Sequence, residues 1–511
     1  MNRTTAFRVV LIKPSKYGND GFVQRFRRGF IPNSTLLHLR SMTPSALAGR
    51  PVDVKMVDEY TATSLGYLRW LQQGSCDLLA LVGVQSHQMH RALDLCALAR
   101  SNGVRCCVIG GPHPMTCDTS EVQGRGVSFA VAEAELIWDA ILQDASSGEL
   151  RPVYGSGKPW QEELNSPVIW PPSAEDLRHY IIPMVGIYPA RGCPFSCNFC
   201  SVVKIAGKRV RSQPVTTTLQ SLLRVKASGV RLVMFTSDNF NKYPAVRDLL
   251  NAMIAERVEI PFFAQCDVQL GRDEELIELL ARAGCVQVFV GVESFSRATL
   301  KSVRKFQNDP SMYRELVQRC HRYGVSTHFS NILGFPEQGE QEILAHLREL
   351  RAIRPFMASF YILTPIPGTD QYDNFRRDGL ICESNLDRFD ATCLVWRHPE
   401  LARERLETLL ARCYRDFYAL DDVAEKVLLH RWNAPGFVYG LGLSFPVFAR
   451  WAALRRRHPM AGGFWQVSRD RDGEYLQIRR SIFNIGQLSL PASISVTGNS
   501  NQVLYLGNAV S

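Results

Sequence analysis

The 511-residue sequence contains no stretch that resembles a signal peptide, because its N-terminal segment MNRTTAFRVVLIKPS runs directly into a strand-like pattern. We therefore expect a cytoplasmic protein. The chain also contains no repeat unit of the kind that builds solenoids or propellers. Hydrophobic residues make up 46% and charged residues 21% of the chain, which is the balance of a soluble globular protein. At this length two or three compact units are expected.

Basic residues are not interleaved with aromatic residues in the way that single-stranded nucleic-acid grooves require. The net charge of +10 favours anionic partners, but only Arg27-Arg28, Arg376-Arg377 and Arg455-Arg456-Arg457 form tight basic groups. The C-terminal region shows no helix-turn-helix pattern. We therefore interpret the basic residues as solvated surface or phosphate contacts, and we expect no nucleic-acid partner.

The apolar segment GFVYGLGLSFPVFARWAALRRRH (436–458) is too short for a clean membrane span and contains Arg450. We favour a buried helix whose C-terminal cations complement the helix dipole. The alternative is an interfacial helix that makes peripheral contact with anionic lipid.

Residues 1–150 alternate between short, largely apolar runs and helical patterns. Helical patterns lie near 34–48, 62–74, 88–102 and 133–146. Apolar runs of this kind fit strands that are buried on both faces of a parallel sheet, so the pattern predicts an α/β, flavodoxin-like (Rossmann-type) domain. The five predicted strands are 7–13, 52–58, 77–84, 104–111 and 127–132.

A proline-containing stretch (151–180) is predicted to be a linker. The alternation of strand and helix patterns then resumes over 181–395. Six βα units there predict a partial (β/α)6 barrel with a site at its C-terminal mouth. The remaining residues, 396–511, begin as helix and end in a polar, strand-like tail. The six predicted barrel strands are 184–190, 231–236, 260–265, 286–292, 325–333 and 358–364.

Three of the fourteen cysteines form the compact motif RGCPFSCNFCSV (191–202), with Cys193, Cys197 and Cys200 directly after the first barrel strand. Without a secretion signal, cysteines indicate thiol, metal or redox chemistry rather than disulfides. Thiolates suit iron–sulfur clusters, and three of them leave one iron of a cubane open. The alternative is a zinc site, for which Cys266 or His328 would supply a fourth ligand.

This C-x3-C-x2-C loop, with Phe199 just before the last cysteine, resembles that of the radical S-adenosylmethionine (SAM) superfamily. The resemblance implies a [4Fe-4S] cluster whose open iron binds SAM, and reductive cleavage of SAM to a 5′-deoxyadenosyl radical. It also implies SAM contacts at later strand ends, where a capping role for each polar residue is the alternative. Those residues are Asp238 in TSDNF, Gln265 and Asp267 in AQCD, Glu293 in GVES and Gly334 in NILGFPE.

The N-terminal domain resembles the cobalamin-binding domain that precedes the radical domain in one subgroup, through VGVQS (82–86), VIGGPHPM (108–115) and VAEAELIW (131–138). Small residues let backbone approach a large flat ligand. No D-x-H-x-x-G motif offers a cobalt ligand, and we interpret His113 as a turn-stabilising residue and His87 and His90 as capping or surface residues. Ala132 replaces a common glycine, which predicts a tighter nucleotide pocket. The residues implied for cobalamin are Gly83, Ser86, Gly110 and Gly111.

The two resemblances together imply radical methylation of an unactivated carbon in a small-molecule substrate: a secondary metabolite, a lipid or a tetrapyrrole. An electron donor such as flavodoxin or ferredoxin is implied as a partner. The alternatives are a cyclase or oxidase without methyl transfer, an enzyme whose cobalamin domain is only a scaffold, and a non-enzymatic cobalamin sensor. Methylthiolation is disfavoured, because residues 1–150 contain no C-x-x-C.

Overall fold

The first strand, β1 (Phe7–Lys13), lies inside the N-terminal sheet and is covered on both faces. Val9 and Leu11 pack into one hydrophobic layer, and Val10 and Ile12 pack into the other. Successive side chains of a strand point to opposite faces, so an uninterrupted apolar run requires helices on both sides of the sheet. This is the flavodoxin-like arrangement that the sequence predicts.

The computed structural model describes residues 6–18, 21–61, 66–157, 159–429, 435–459, 463–467, 489–495 and 504–505. The first strands of the chain are β1, β2 (Phe26–Gly29), β3 (Ala46–Leu47), β4 (Arg50–Asp58), β5 (Leu78–Leu81), β6 (Cys106–Gly110), β7 (Ser128–Ala130) and β8 (Val153–Tyr154). The first helices are α1 (Ser34–Met42), α2 (Gly66–Gln72), α3 (Met89–Ser101), α4 (Pro112–Thr116), α5 (Ala134–Ser147) and α6 (Ala174–Leu177).

The N-terminal sheet has the strand order β3-β4-β1-β5-β6-β7-β8. Its five predicted strands therefore follow the flavodoxin-like order, and all of them pair in parallel. The short strand β3 adds an antiparallel edge, and β8 continues the sheet into the segment that follows residue 150.

The second sheet contains six parallel strands in sequential order, β16-β15-β14-β13-β12-β9. Its ends, β9 and β16, do not pair with each other in the described chain, so the sheet is a partial barrel, as predicted. The strands from this part are β9 (Val185–Ile187), β10 (Ala190–Arg191), β11 (Arg211–Ser212), β12 (Val233–Phe235), β13 (Phe262–Cys266), β14 (Cys285–Glu293), β15 (Ser326–Leu333) and β16 (Met357–Ile362). The helices are α7 (Val202–Ala206), α8 (Val215–Ala227), α9 (Val246–Ala255), α10 (Glu274–Arg282), α11 (Arg297–Ser302), α12 (Tyr313–Arg322), α13 (Glu340–Ile353) and α14 (Asp370–Arg377).

The C-terminal helices cover the open edge of the barrel. The hydroxyl of Tyr418 accepts from the Ala358 amide at 2.9 Å, and that of Tyr414 accepts from the Phe360 amide at 3.0 Å. Side chains from a helix thereby satisfy the edge of β16, which would otherwise present unpaired backbone groups. The remaining elements are α15 (Arg403–Phe417), α16 (Leu420–Leu429), α17 (Gly436–Leu454), β17 (Gly463–Gln466), β18 (Ile494–Ser495) and β19 (Leu504–Tyr505).

Helix α17 buries one face against the rest of the protein, as the favoured interpretation of 436–458 predicts. Phe445 and Ala449 belong to the main hydrophobic core, whereas Val447 and Leu454 on the opposite face are exposed. No helix within the described ranges is long and apolar enough to cross a membrane. Strand β17 then pairs with β2, which ties the C-terminal region to the N-terminal part of the chain. Most of the predicted strand-like tail lies outside the described residues.

Candidate active site

The three motif cysteines lie in the loop between β10 and α7, beyond the carboxyl end of the first barrel strand. Strands β10 and β11 pair antiparallel and close the base of this loop, with Arg191 opposite Arg211. The Cys193 amide donates to the Gly207 carbonyl at 3.2 Å, and the Asn198 amide donates to the Val303 carbonyl at 3.1 Å. The backbone of the loop is therefore fixed before any cofactor is considered.

The surroundings of the cysteines suit an iron–sulfur cluster. Gln307 Nε2 lies 3.5 Å from Cys197 Sγ, in position to donate to the sulfur. Hydrogen bonds to ligating sulfur are among the features that tune such clusters. In the described part of the chain no three potential ligands converge on one point that would hold a single metal ion. Each cysteine of a cubane binds a different iron, so a cluster does not require that convergence.

The zinc alternative receives no fourth ligand from either predicted residue. Cys266 is buried beside Cys285 and Cys320, which raise the pKa of its thiol further after burial has raised it. His328 Nε2 lies 2.6 Å from Ser359 Oγ inside the barrel. Cys266 and His328 therefore have partners of their own. The thiols available in the loop are those of Cys193, Cys197 and Cys200.

Asp238 anchors the cysteine loop from the end of β12. Its Oδ2 accepts a hydrogen bond from the Gly192 amide at 2.8 Å. Burial raises the pKa of this carboxyl group, and the Gly192 hydrogen bond and Arg191 counteract that rise. The next residue, Asn239, reaches Cys193 with its side chain and lowers the pKa of that thiol against the larger effect of burial. Asn239 belongs to the same TSDNF motif but is not among the residues predicted from the sequence.

Glu293 ends β14 in a left-handed backbone conformation, with φ of 62°. Residues other than glycine hold this conformation only where the surrounding structure stabilises it, and such positions cluster at functional sites. Its Oε1 accepts from Lys305 Nζ at 2.9 Å, and this cation lies 5.6 Å from the centre of the Phe199 ring in the cysteine loop. Burial lowers the pKa of Lys305, but Glu293 and Cys197 more than reverse this effect. Lys305 was not predicted from the sequence, because it follows a helix and the predicted residues lie at strand ends.

The other predicted SAM residues have different surroundings. Gln265 lies on the half-buried face of β13, between the buried Ala264 and Cys266. Asp267 caps the following 3₁₀ turn through the Gln269 amide at 2.7 Å, and it also accepts from Asn239 at 3.0 Å. This carboxylate therefore has the capping role that was its alternative interpretation; a SAM contact stays a prediction.

The structure gives Gly334 a packing role. Its φ is +75°, and a Cβ atom there would lie 2.6 Å from Leu406 Cδ2. The absence of a side chain therefore lets helix α15 approach the end of β15. Contact of this glycine with adenine stays a prediction.

A cavity of about 290 Å³ lies between the N-terminal sheet and the barrel. Gly83 and Gly110 line it at the carboxyl ends of β5 and β6, and Asp238 reaches it from the barrel. A Cβ atom on Gly110 would lie 3.2 Å from Ala130 Cβ, so small residues keep this space open. Its volume suits part of a large cofactor, such as an aromatic base, and its lining is largely apolar. The apolar lining residues include Leu39, Ala80, Val82, Val108, Ala130, Ala132, Ile137, Trp138 and Ile141.

Of the other two predicted cobalamin residues, Gly111 lines this cavity and Ser86 does not. Gly111 lines the cavity, and its φ of +139° places its Cα so that a Cβ would lie 2.1 Å from the Val84 amide nitrogen. Ser86 is buried and lies 3.0 Å, Oγ to Nδ1, from His113. His113 thus stabilises the turn, as predicted, and burial lowers the pKa of its ring to about 3. Ala132 lines the cavity and does not close it; a tighter pocket than glycine would give stays a prediction.

The prediction for His90 was wrong. Its side chain is fully buried, and Nδ1 lies 2.9 Å from Asp387 Oδ1 in the segment after the barrel. His87 in the preceding 3₁₀ turn also has its pKa lowered, first by burial and then by Lys16. These two histidines lie at an interface between domains. Their partners come from distant parts of the chain, so the sequence of the N-terminal domain alone does not predict these contacts.

Residues 187–350 match the family described as the Radical SAM superfamily. The chain is 23% identical over 83% of its length to bacteriochlorophyllide d C-8(2)-methyltransferase of Chlorobaculum tepidum, of which the match covers 95%. It is 24% identical over 73% of its length to the C-12(1)-methyltransferase of the same organism, of which the match covers 81%.

A solved structure with the same fold is that of the radical SAM methyltransferase TsrM from Kitasatospora setae with cobalamin and a [4Fe-4S] cluster bound. The TM-score is 0.64 at 15% identity, over 88% of this chain and 99% of that one. The family match covers the barrel that carries the cysteine loop, and the structural likeness extends to the N-terminal domain. Residues 187–350 therefore form a radical SAM domain, and the chain shares the overall fold of a solved structure that contains cobalamin and a [4Fe-4S] cluster.

Proposed function

We propose that the protein is a cobalamin-dependent radical SAM enzyme that methylates an unactivated carbon of a small-molecule substrate. The observation that carries the proposal is the position of Asp238. One oxygen of this side chain holds the cysteine loop at Gly192, and the residue also lines the cavity of the N-terminal domain. The two cofactor sites are therefore neighbours, as transfer of a methyl group to a radical requires.

Cys193, Cys197 and Cys200 hold the cluster in this proposal, and Gln307 and Lys305 stabilise its negative charge. Cobalamin supplies methyl-transfer chemistry when it is bound. Gly83, Gly110 and Gly111 form its apolar cradle, and Ser86 acts indirectly by fixing His113.

The proposed SAM contacts are Glu293 and Gln265. Glu293 is the last residue of β14, and Gln265 lies within β13 near its carboxyl end. Asp238, Asp267 and Gly334 act through the loops and helices that they hold. Enclosure by α15 and α17 excludes water from the interior, which protects a carbon radical from side reactions.

The reaction consumes two SAM molecules and two electrons for each methyl group transferred. One SAM is cleaved to methionine and a radical that removes hydrogen from the substrate, giving 5′-deoxyadenosine. The other donates its methyl group and leaves S-adenosylhomocysteine. A protein of the flavodoxin or ferredoxin class would supply the electrons, and its binding is testable by anaerobic reduction of the cluster with each donor.

The test is an anaerobic incubation of the loaded enzyme with reduced flavodoxin, with SAM that carries a trideuterated methyl group and with a small-molecule extract of the cells that produce the protein. The proposal expects a product carrying the labelled methyl group, with 5′-deoxyadenosine and S-adenosylhomocysteine formed in equal amounts. Formation of 5′-deoxyadenosine without a labelled product or S-adenosylhomocysteine would instead support the cyclase or oxidase alternative.

The finer proposal of peripheral membrane contact rests on the exposed apolar side chains of Val447 and Leu454, which are followed by Arg455. Sedimentation with vesicles of anionic phospholipid tests it. Replacement of Leu454 with Gln is expected to abolish cosedimentation, and equal recovery of both proteins with the vesicles would contradict the proposal.

A further inference from the structure

A second cavity lies where the N-terminal domain, the barrel and the C-terminal helices meet. Its volume is about 380 Å³. Its walls come from the loop after β1, the segment 387–393, helix α15 and the end of α17. Acidic, basic and uncharged polar side chains line it, whereas the lining of the cavity between the two sheets is largely apolar. The cofactor assignments use none of these side chains.

This second cavity adjoins the barrel interior through His458. The His458 ring is part of the cavity wall, and its centre lies 5.2 Å from that of Tyr361 on β16. Burial raises the pKa of Tyr361 to about 12, and the nearby charge of Glu293 adds to the rise. Glu293 in turn bonds Lys305 beside the cysteine loop. His458 therefore places one wall of the cavity beside the last strand of the barrel.

The wall of the cavity contains arginines as well as carboxylates. Arg456 and Arg457 line it, and among the described residues neither has an ion-pair partner. Lys16, by contrast, forms a buried ion pair with Asp390. Arginine binds carboxylate and phosphate groups through two parallel hydrogen bonds, so the arginine pair suits an anionic group on a ligand.

The same cavity offers carboxylates and an aromatic surface. Glu404 and Glu407 project from α15 into its wall, and Trp451 contributes an indole that is 37% exposed. A carboxylate attracts an amine, and an exposed indole packs against flat apolar groups. A volume of about 380 Å³ lies near the lower end of the range for ligand cavities.

We propose that this cavity binds the methyl acceptor, and that the acceptor is a small zwitterion with a flat apolar part. Arg456 and Arg457 hold its anionic group. Glu404 and Glu407 hold its cationic group, and Trp451 packs against the apolar part. This assignment rests on the proposed function, because it deepens the substrate class of the same enzyme.

Anaerobic calorimetric titration of the protein loaded with cluster and cobalamin tests the assignment, with L-tryptophan as the zwitterionic probe. Tryptamine lacks the anionic group and indole-3-propionate lacks the cationic one, so the three probes separate the two charges. L-Tryptophan is expected to bind at least about tenfold more tightly than either analogue, because each lost charge removes charge-assisted hydrogen bonds.

The double variant Arg456→Ala/Arg457→Ala is expected to weaken L-tryptophan binding at least about tenfold while its iron and cobalt contents stay at the wild-type level. The matched control Arg405→Ala/Arg412→Ala removes the same charge from exposed positions of α15 that do not line the cavity. Absent binding, or equal binding by the variant, would overturn the assignment. Since cofactor content is measured separately, that outcome leaves the proposed function intact, whereas failure of the wild type to take up iron or cobalt contradicts the proposed function itself.

Discussion

Arg191 Nη2 lies 2.8 Å from Glu135 Oε1, which joins the base of the cysteine loop to the N-terminal domain. The opposite strand repeats the arrangement, because Arg211 contacts both oxygens of Glu133 at 2.7 and 2.8 Å. The turn 132–135 that lines the cobalamin-type cavity therefore holds both ends of the loop that carries the cysteines. Burial would raise the pKa of Glu135, but His38 and Arg191 hold it well below its usual range.

Replacement of Glu135 with Gln leaves the Arg191 charge buried with a weaker partner. Breaking a buried ion pair in this way costs about 3 kcal/mol or more. We expect a lower thermal midpoint and less iron per chain, measured by differential scanning fluorimetry and iron analysis after anaerobic reconstitution. Glu149→Gln, an exposed acid of the same domain, is the control. If both variants match the wild type, the turn does not support the loop.

Replacement of Cys197 with Ala is expected to remove the cluster, because two thiolates do not hold a cubane that already lacks a fourth protein ligand. Iron content and 5′-deoxyadenosine formation should both fall to background. Cys382→Ala, which changes an exposed cysteine outside the loop, should retain both. Continued formation of 5′-deoxyadenosine by the Cys197 variant would disprove the cluster assignment.

A bulky residue at position 110 should fill the apolar cavity. Gly110→Leu is expected to abolish cobalt retention after growth with cobalamin and to leave iron content unchanged, since Gly110 lies in the N-terminal sheet. Gly440→Leu serves as a control, because nothing lies within 4 Å of a Cβ atom there. Cobalt retention equal to that of the wild type would show that cobalamin does not use this cavity.

The proposed SAM contact of Glu293 predicts a binding defect. Glu293→Gln is expected to weaken SAM affinity at least about tenfold, as removal of a charged hydrogen-bonding group does. Equilibrium dialysis with the cluster-loaded protein measures it. Glu315→Gln changes a surface pair with Arg319 and should have no effect. An unchanged dissociation constant in the Glu293 variant would assign this residue to positioning of Lys305 alone.

Three buried histidines predict acid sensitivity of the cofactor-free protein. Burial lowers the pKa of His113 and His328 to about 3 and that of His346 to about 4. The unfolded chain binds protons below its ordinary histidine pKa of about 6.5, so stability is present above that pH and is lost as pH falls towards 4.

Each of these groups contributes up to about 1.4 kcal/mol per pH unit in that window. His346→Asn should therefore flatten the dependence of the free energy of unfolding on pH, and the exposed His321→Asn should not. Parallel curves for wild type and His346→Asn between pH 6.5 and 4 would contradict the assignment.

The sequence predicted those features that depend on neighbouring residues. Apolar runs predicted the strands of both sheets, and the short spacing of Cys193, Cys197 and Cys200 predicted the cluster loop. Contacts between distant segments were not predictable: Glu135 and Arg191 are 56 residues apart, and His90 and Asp387 are 297 apart. For this reason the sequence showed the turn 132–135 only as a departure from a family pattern.

Metal content after anaerobic purification from cells supplied with cobalamin tests the account most directly. Iron, sulfide and cobalt are counted on the same sample, and the absorption spectrum is recorded. We expect about four irons and about one cobalt per chain. Iron without cobalt would contradict the cobalamin assignment and leave a radical enzyme whose N-terminal domain is a scaffold, and a protein without iron would contradict the account as a whole.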